Sequence, residues 1–211
     1  INAKMDIWEV RNYQRALSYG IDQIKNDGLP LSTRLLRNCH KILMDKVRGG
    51  EEEKTPGEFR RSQNYIGGNN PSTAVYVPPK EDSVNELMSD FEKYIHSGKS
   101  FDVVKLALLH YQFETIHPFL DGNGRIGRLL ISLFLVNRNI LQQPTLYLSL
   151  YLKKHKTEYY ELLTAVRERN DFNKWIEFFL KGITLVSKQI IDTTKRITEL
   201  KECKYTSKND L

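Results

Sequence analysis

Apolar residues recur every three or four positions through most of the chain, and this spacing predicts a mainly helical protein. The first helical segment spans residues 6–27 and stops at the Gly-Leu-Pro sequence at 28–30. Ser32 is a suitable N-cap for a second helix, which continues to about Val47. Further helical patterns cover residues 82–96, 102–116, 126–138, 156–169, 171–186 and 188–202, and the tail at 204–211 is expected to fray.

Residues 49–80 break the helical pattern, because they are rich in Gly, Pro and Asn. Two short β-prone pieces, Asn64–Ile66 and Ala74–Val77, flank a Gly-Gly-Asn-Asn sequence at 67–70. This arrangement predicts a β-hairpin. The segment is longer than a simple connection needs, and long loops in compact domains often serve as functional lids. The predicted fold class is therefore all-α with one β-hairpin.

Composition places the chain among globular proteins. Its 211 residues suit one domain with a real core, and 40% are hydrophobic and 27% charged. It contains no apolar run of the ~20 residues that a membrane span requires, and its start lacks a signal-peptide pattern. The chain does not begin with Met, so we expect it to be a fragment.

Cysteine usage and charge narrow the compartment and the partners. Cys39 and Cys203 are far apart and are expected to be free thiols in a reducing compartment, which predicts a cytoplasmic location. The net charge of +6 is spread along the chain, and its densest cluster is Lys-Lys-His-Lys at 153–156. We expect most of this charge to be solvated surface, with neither a nucleic-acid nor a membrane partner evident.

The most informative stretch is His-Pro-Phe-Leu-Asp-Gly-Asn-Gly-Arg-Ile-Gly-Arg-Leu-Leu at 117–130. It contains the G-x-G-x-x-G spacing of dinucleotide-binding folds, but such a turn follows a β-strand, whereas this one follows a helical pattern that ends at a His-Pro step. The P-loop motif and the partner motifs of protein kinases are absent from the sequence. What remains is a glycine-rich turn that opens a helix, which is a general site for anions.

The residues around these glycines suit a polyphosphate. Arg125 and Arg128 are three positions apart and share one helix face, where two cations oppose the helix dipole unless an anion is bound. Asp121 precedes the turn, where a carboxylate suits Mg²⁺ between phosphate oxygens. His117 is a candidate general base. Each residue alone also has an ordinary role open to it: helix capping for His117 and Asp121, solvent exposure for the arginines.

The stretch matches the signature H-x-F-x-[D/E]-G-N-G-R-x-x-R of Fic domains at every specified position, and the chain resembles the Fic/Doc family. The resemblance extends to the family's flap, through GEFRRSQNYIGG and AVYVPP, and to helices containing EVRNYQRALSYG and EYYELLTAVRE. It covers most of residues 5–185. It implies N-terminal helices at 1–48 packed on a Fic catalytic core at 49–187, with the flap at 58–79, and a C-terminal helix and tail at 188–211.

Fic enzymes typically transfer AMP from ATP to a Ser, Thr or Tyr hydroxyl of a target protein, and the resemblance implies this activity here, self-modification included. His117 would be the general base, and Asp121 would hold Mg²⁺. Arg125 would bind phosphates near the leaving group, and Arg128 the γ-phosphate. Phe119 would anchor the loop in the core. The implied cofactors are ATP and Mg²⁺.

The resemblance also implies residues that surround the nucleotide and the target. Backbone and side chains of the glycine loop would form the anion hole, with the Asn123 amide facing the α-phosphate, and the flap would hold a target segment by β-augmentation. Two tyrosines would border the adenine or ribose; helix packing is their alternative role. The expected nucleotide-site residues are Gly122, Asn123, Gly124, Arg125, Ile126, Gly127, Arg128, Ile66, Gly67, Gly68, Tyr159 and Tyr160.

Several alternatives stay open. The same site could remove AMP from a target, or the chain could be a nucleotide-binding interaction module without transferase activity. The family's inhibitory motif, [S/T]-x-x-x-E-[G/N], has no convincing match in this sequence, so we expect the fragment to begin after its own inhibitor and to modify proteins more readily than a longer version. The target and the oligomeric state, a homodimer included, are not given by the sequence.

Overall fold

The structure is a computed structural model that describes the backbone of residues 3–47, 54–98 and 100–209, and side chains within these ranges from 7 to 201. It divides into two compact units, Ile1–Pro144 and Thr145–Leu211. The described residues of the first unit form five α-helices: α1 (Ala3–Lys25), α2 (Thr33–Leu43), α3 (Val84–His96), α4 (Asp102–Ile116) and α5 (Asn123–Asn137). The second contains α6 (Leu148–Lys154), α7 (Lys156–Arg169) and α8 (Phe172–Asn209). The mainly helical fold is confirmed.

Helix α5 is the core of the first unit. It is buried on nearly all sides, including the continuous run Leu129–Val136, because α1, α2 and α4 all pack against it. A helix that is apolar all round is stable only in such an environment. Burial of each large side chain contributes about 1.5–3 kcal/mol, so the position of α5, and of its N-terminus, is firmly fixed.

Helix α1 approaches this core through small and polar residues. Ala16 and Leu17 are buried as their spacing suggests, whereas the exposed apolar residues lie nearer the start of the helix. Asn12 is fully buried and donates its side-chain amide to the carbonyl of Asp45 at 2.6 Å. At Gly20, a Cβ would lie 2.8 Å from Cδ2 of Leu133, so a larger residue would require this side chain on α5 to move.

Ser32 caps α2 as predicted, since its hydroxyl accepts a hydrogen bond from the backbone N–H of Leu35 at 3.2 Å. The predicted β-hairpin is not confirmed. Within the described part of the chain, residues of the flap form no strand, and Ile66 and Tyr76 make a single antiparallel bridge. Pro78 and Pro79 have no N–H to extend a ladder, which explains why pairing stops there. Residues 49–53 of the predicted loop lie outside the described residues.

The second unit differs from the prediction in two ways. The patterns at 171–186 and 188–202, together with much of the tail expected to fray, form the single helix α8, which continues to Asn209. No Pro or Gly occurs after Gly182 to interrupt it. Helix α6 was not predicted. None of the described helices is long and apolar enough to cross a membrane.

Candidate active site

The candidate site is the loop of residues 117–122 between α4 and α5. Helix α4 ends at Ile116, and His117 caps it in the left-handed conformation, with φ 51° and ψ 61°. This turn brings the chain back so that α5 starts within the glycine sequence, at Asn123, three residues earlier than the pattern suggested. His117, the predicted base, and the glycine sequence at the start of α5 therefore lie on either side of one short turn.

The ring of His117 is oriented by the preceding helix. Its Nδ1 lies 3.4 Å from the carbonyl oxygen of Glu114, which can only accept a hydrogen bond. In the neutral ring the proton therefore belongs on Nδ1, and the lone pair is on Nε2. This tautomer has the form that a general base requires.

Phe119 anchors the loop, as the resemblance implied. Its side chain is fully buried and packs near Phe59 and Phe113. The side chain of Asn123 closes the turn: its Oδ1 accepts from the N–H of Phe119 at 2.8 Å, and its Nδ2 donates to the carbonyl of Phe119 at 2.7 Å. The side-chain amide of Asn123 is thus engaged with the protein, which leaves its backbone N–H to face a phosphate.

The N-terminus of α5 has the features of an anion site. Gly122 is the N-cap, with φ 77°, and a Cβ there would lie 2.8 Å from the sulfur of Met44. Asn123 and Gly124 open the helix, so no earlier turn offers carbonyls to their N–H groups. At Gly124, a Cβ would lie 3.3 Å from Nη1 of Arg128, which places this guanidinium beside the first turn.

Arg125 has hydrogen-bonding capacity to spare. Its Nη1 is buried without a hydrogen-bond partner, although Glu9 Oε2 is 3.8 Å away. Its Nη2 lies 3.4 Å from the sulfur of Met44, a weak acceptor, and 3.9 Å from Oδ1 of Asp121. A buried guanidinium normally has strong acceptors around it. A phosphate oxygen would supply the one that Nη1 lacks.

Asp121 has the character expected for a magnesium ligand that acts together with a substrate. Its side chain is 42% exposed, and one carboxylate oxygen accepts from the N–H of Gly122. Among the residues that the structure describes, no group of three His, Cys, Asp or Glu side chains could hold a metal. Mg²⁺ commonly uses one or two carboxylates with substrate phosphates and water, so the single carboxylate fits an ion that binds with ATP.

The flap is joined to this loop at its base. Asn64 donates to the carbonyl of Phe119 at 2.8 Å, and the hydroxyl of Tyr76 donates to that of Thr115 at 2.9 Å. At the tip, Gly67 has φ 76°, and a Cβ there would lie 2.7 Å from Val75. At Gly68 a Cβ would overlap the backbone of Thr73, so both glycines are required by the turn. Val75 is an exposed apolar residue of the flap, with 81% of its surface accessible.

Tyr159 and Tyr160 belong to the second unit, on α7. Tyr159 is buried, with its ring 5.9 Å from that of Trp175, whereas Tyr160 is 52% exposed. The buried ring fits the packing role that was the alternative for this pair. Contact with a nucleotide stays a prediction for both.

Sequence reasoning missed two residues that hold the loop in place. His40 accepts from the N–H of Gly57 through Nδ1 at 2.8 Å, and its Nε2 lies 3.0 Å from the carbonyl oxygen of Asp121. Its position on the buried face of α2, between Leu36 and Leu43, was a usable signal. Arg60 donates to the carbonyl of His117 at 2.9 Å. Nothing in the sequence distinguishes it from the neighbouring Arg61.

Burial changes the chemistry of His40. Burial and, to a lesser extent, the charge of Arg125 lower the pKa of the imidazole from 6.5 to about 4, although the hydrogen bond to Asp121 and the charge of Asp121 act in the opposite direction. The ring is therefore neutral near pH 7, with the proton on Nε2, because Nδ1 accepts from Gly57. In this structure His40 holds backbone groups of the site loop and of residue 57.

Comparisons with known proteins identify a family for the chain. The Fic/DOC family matches residues 30–135, about half of the chain. The protein adenylyltransferase Fic of Aedes aegypti is 33% identical over 179 residues, which are 83% of this chain and 30% of that protein. The protein of the same name from Drosophila melanogaster is 33% identical over 136 residues, 63% of this chain and 25% of that one. The chain thus spans less than a third of the length of these relatives.

Solved structures resemble the fold over most of the chain. A Fic family protein from Desulfovibrio desulfuricans G20 has a TM-score of 0.77 and 26% identity, and the match covers 92% of this chain and 56% of that one. A Fic domain containing signaling protein from Bacteroides thetaiotaomicron VPI-5482 has a TM-score of 0.67 and 19% identity, over 90% and 74% of the two chains. The second likeness concerns the fold alone.

Proposed function

Because the chain belongs to the Fic/DOC family, we propose that it is a protein adenylyltransferase, which transfers AMP from ATP to a hydroxyl group of a target protein. The observation that carries the proposal is the loop 117–122, where Nδ1 of His117 faces the carbonyl of Glu114 and the chain leads into a helix N-terminus beside the buried, unpartnered Nη1 of Arg125. The relatives named as protein adenylyltransferases support the same activity.

The proposed reaction is an in-line displacement at the α-phosphorus of ATP. The acceptor oxygen forms a bond to this phosphorus while the bond to the β-phosphate oxygen breaks, and pyrophosphate leaves. Nε2 of His117 takes the hydroxyl proton. Backbone N–H groups at the start of α5 stabilise the negative charge on the α-phosphate oxygens.

Arg125 and Arg128 bind the phosphates that leave. Nη1 of Arg125 gains the acceptor that it lacks, and Arg128, beside Gly124, adds a second cation on the same face. A Mg²⁺ ion bound with ATP would be held by Asp121 and would neutralise charge on the phosphate oxygens. The helix dipole, the arginines and the ion then all favour the departing pyrophosphate.

We further propose that the flap holds the target. Its Ile66–Tyr76 bridge leaves backbone groups at the edge of a very short pair, where an extended segment can add by β-augmentation. The exposed Val75 supplies an apolar contact. Because Asn64 joins the flap to the site loop and Tyr76 joins it to the end of α4, a segment bound there is held in a fixed relation to His117.

Isotope position tests the function. The protein is incubated with Mg²⁺ and a lysate, and with ATP labelled at either the α- or the γ-phosphate. We expect protein label from the α-position alone; label from the γ-position alone would indicate a kinase and refute the proposal. His117→Ala should lower transfer about 100- to 10,000-fold. His96→Ala, which alters an exposed histidine on α3, is the matched control and should leave transfer unchanged.

Two additional assays decide between the alternatives. Release of AMP from a premodified protein, without transfer from ATP, would favour the removal reaction. Binding of MgATP with neither transfer nor release would favour a nucleotide-binding interaction module. The intact His117 and Asp121 support a catalytic site over such a module.

A further inference from the structure

Arg60 connects the flap to the end of α4. Its side chain is only 2% exposed, although it carries a full charge. Its Nε donates to the carbonyl of His117 at 2.9 Å, and its Nη2 to that of Ile116 at 3.4 Å. The same guanidinium binds both ends of the flap, since Nη1 donates to Ser62 at 3.2 Å and Nη2 to Pro79. One side chain thus holds four backbone oxygens.

The carbonyls at the end of α4 need such a partner. The last carbonyls of a helix have no donor within the helix, and the dipole favours a cation beside them. His117 also has a φ of 51°, a conformation that is disfavoured for a residue with a Cβ and persists where its neighbours fix it. Arg60 binds the carbonyl of this residue and also donates its own N–H to the next carbonyl, Pro118, at 2.8 Å.

Two other flap side chains contact the same region. Asn64 binds the carbonyl of Phe119, and Tyr76 binds that of Thr115. Arg60 differs from both, because it binds His117 itself together with the two ends of the flap. A displacement of the guanidinium would therefore shift the base and the flap relative to each other.

We propose that Arg60 is a positioning residue, which sets the flap in register with His117 so that a hydroxyl on a flap-bound segment reaches Nε2. Its consequence for transfer rests on the proposed function, whereas the coupling of flap and base is a property of the fold. The backbone proposed to bind phosphate, from Asp121 to the start of α5, is held by His40 and Asn123. Loss of Arg60 should therefore affect transfer more than MgATP binding.

The test compares Arg60→Gln and Arg60→Lys with Arg34→Gln, a control at an exposed arginine on α2. Transfer of the α-label is measured at saturating MgATP, and the Kd for MgATP is measured separately. Arg60→Gln should lower the transfer rate about 10- to 100-fold, as expected for a displaced reactant, with less than about a threefold change in Kd. Arg60→Lys keeps the charge but not the planar fork, so its rate should be intermediate.

Two outcomes would overturn the proposal. One is a wild-type transfer rate in Arg60→Gln. The other is a loss of transfer and MgATP binding in step with the folded fraction in both variants, because Arg60 would then serve only the stability of the fold. Arg34→Gln should leave the rate and the Kd unchanged.

Hydrogen exchange separates this proposal from the proposed function. The N–H of Ile66 donates to Tyr76 in the flap, and the N–H of His117 donates to Phe113 at the end of α4, each at 2.9 Å. Both Arg60 variants should accelerate exchange at these two amides together, while the Phe91 amide of α3 is unchanged. If wild-type protein takes no α-label, the proposed function fails, and this exchange result alone decides the coupling. Unchanged exchange, or acceleration at only one of the two amides, would refute it.

Discussion

The imidazole of His40 stacks on the ring of Phe119, with centroids 3.8 Å apart and planes within 6° of parallel. The same imidazole binds the carbonyl of Asp121 through Nε2 and the N–H of Gly57 through Nδ1. One buried side chain of α2 therefore fixes the aromatic anchor of the site loop, the backbone of the proposed magnesium ligand and the chain that leads into the flap. A change at position 40 can reach the chemistry without touching a substrate.

Replacement of His40 by Gln and by Asn should separate its two hydrogen bonds. Gln can place an N–H donor near Nε2, towards Asp121, whereas Asn can place an oxygen acceptor near Nδ1, towards Gly57. Both variants lose the stacking on Phe119 and should lose about 1–3 kcal/mol of unfolding free energy. We expect His40→Gln to retain more transfer activity, because it keeps the bond to the site loop. Urea unfolding and α-label transfer per folded molecule measure the two effects, and higher activity in His40→Asn would contradict this assignment.

Gly124 and Gly127 should respond differently to alanine. A Cβ at Gly127 would overlap Oε1 of the buried Glu114, between α4 and α5, so Gly127→Ala should cost about 1–3 kcal/mol of stability. At Gly124 the nearest atom is the mobile end of Arg128, so the fold should tolerate alanine within about 1 kcal/mol.

The order should be reversed for MgATP binding, which Gly124→Ala should weaken more than Gly127→Ala. Gly124→Ala moves Arg128 and blocks the close approach of a phosphate to the backbone, so MgATP should bind several-fold more weakly. Chemical unfolding and a MgATP titration of both variants provide the comparison. A destabilised Gly124→Ala with normal MgATP affinity would show that this glycine serves packing instead.

The sequence predicted those parts of the site that lie within one short stretch. The spacing of His117, Asp121 and Arg125 along the chain is enough to predict that they lie close together, because they belong to a single turn and one helix end. His40 and Arg60 act through contacts with residues 57 to 81 positions away, and a local pattern contains no record of such contacts. The flap also depends on such contacts: Asn64 binds it to the site loop and Tyr76 binds it to α4, beside the short bridge that Pro78 and Pro79 prevent from extending.

Glu9 is a second acidic residue near the proposed phosphate site. Its carboxylate lies 3.8 Å from Nη1 of Arg125, the nitrogen without a hydrogen-bond partner, and both side chains are partly exposed. Glu9→Gln should change stability by less than about 1 kcal/mol, as is usual for such ion pairs. It should tighten MgATP binding by up to about fivefold, because a negative charge that competes with phosphate for Arg125 is removed.

Calorimetric titration with MgATP, at low and high salt, measures the effect of Glu9→Gln. The gain should shrink at high ionic strength, since screening weakens the interaction between partly exposed charges. Glu86→Gln, at an exposed position on α3, is the control and should leave affinity unchanged. Weaker binding in Glu9→Gln would mean that Glu9 orients Arg125 for the phosphate.

His110 should make stability depend on pH. It is fully buried beneath α5, its Nδ1 lies 3.1 Å from the carbonyl of Gly127, and burial lowers its pKa from 6.5 to about 4, with the charge of Arg128 acting in the same direction. Below pH 6.5 the unfolded chain binds a proton at this position, and the folded chain does not until about pH 4. The stabilisation is therefore complete above about pH 6.5 and is lost as the pH falls towards 4. The total loss is about 3 kcal/mol.

His110→Asn keeps an N–H donor for Gly127 but cannot titrate, so it isolates this contribution from those of His40 and the carboxylates. Urea unfolding between pH 7 and pH 4 should show wild type losing stability relative to His110→Asn by about this amount, and parallel curves would mean that His110 is already protonated in the folded protein.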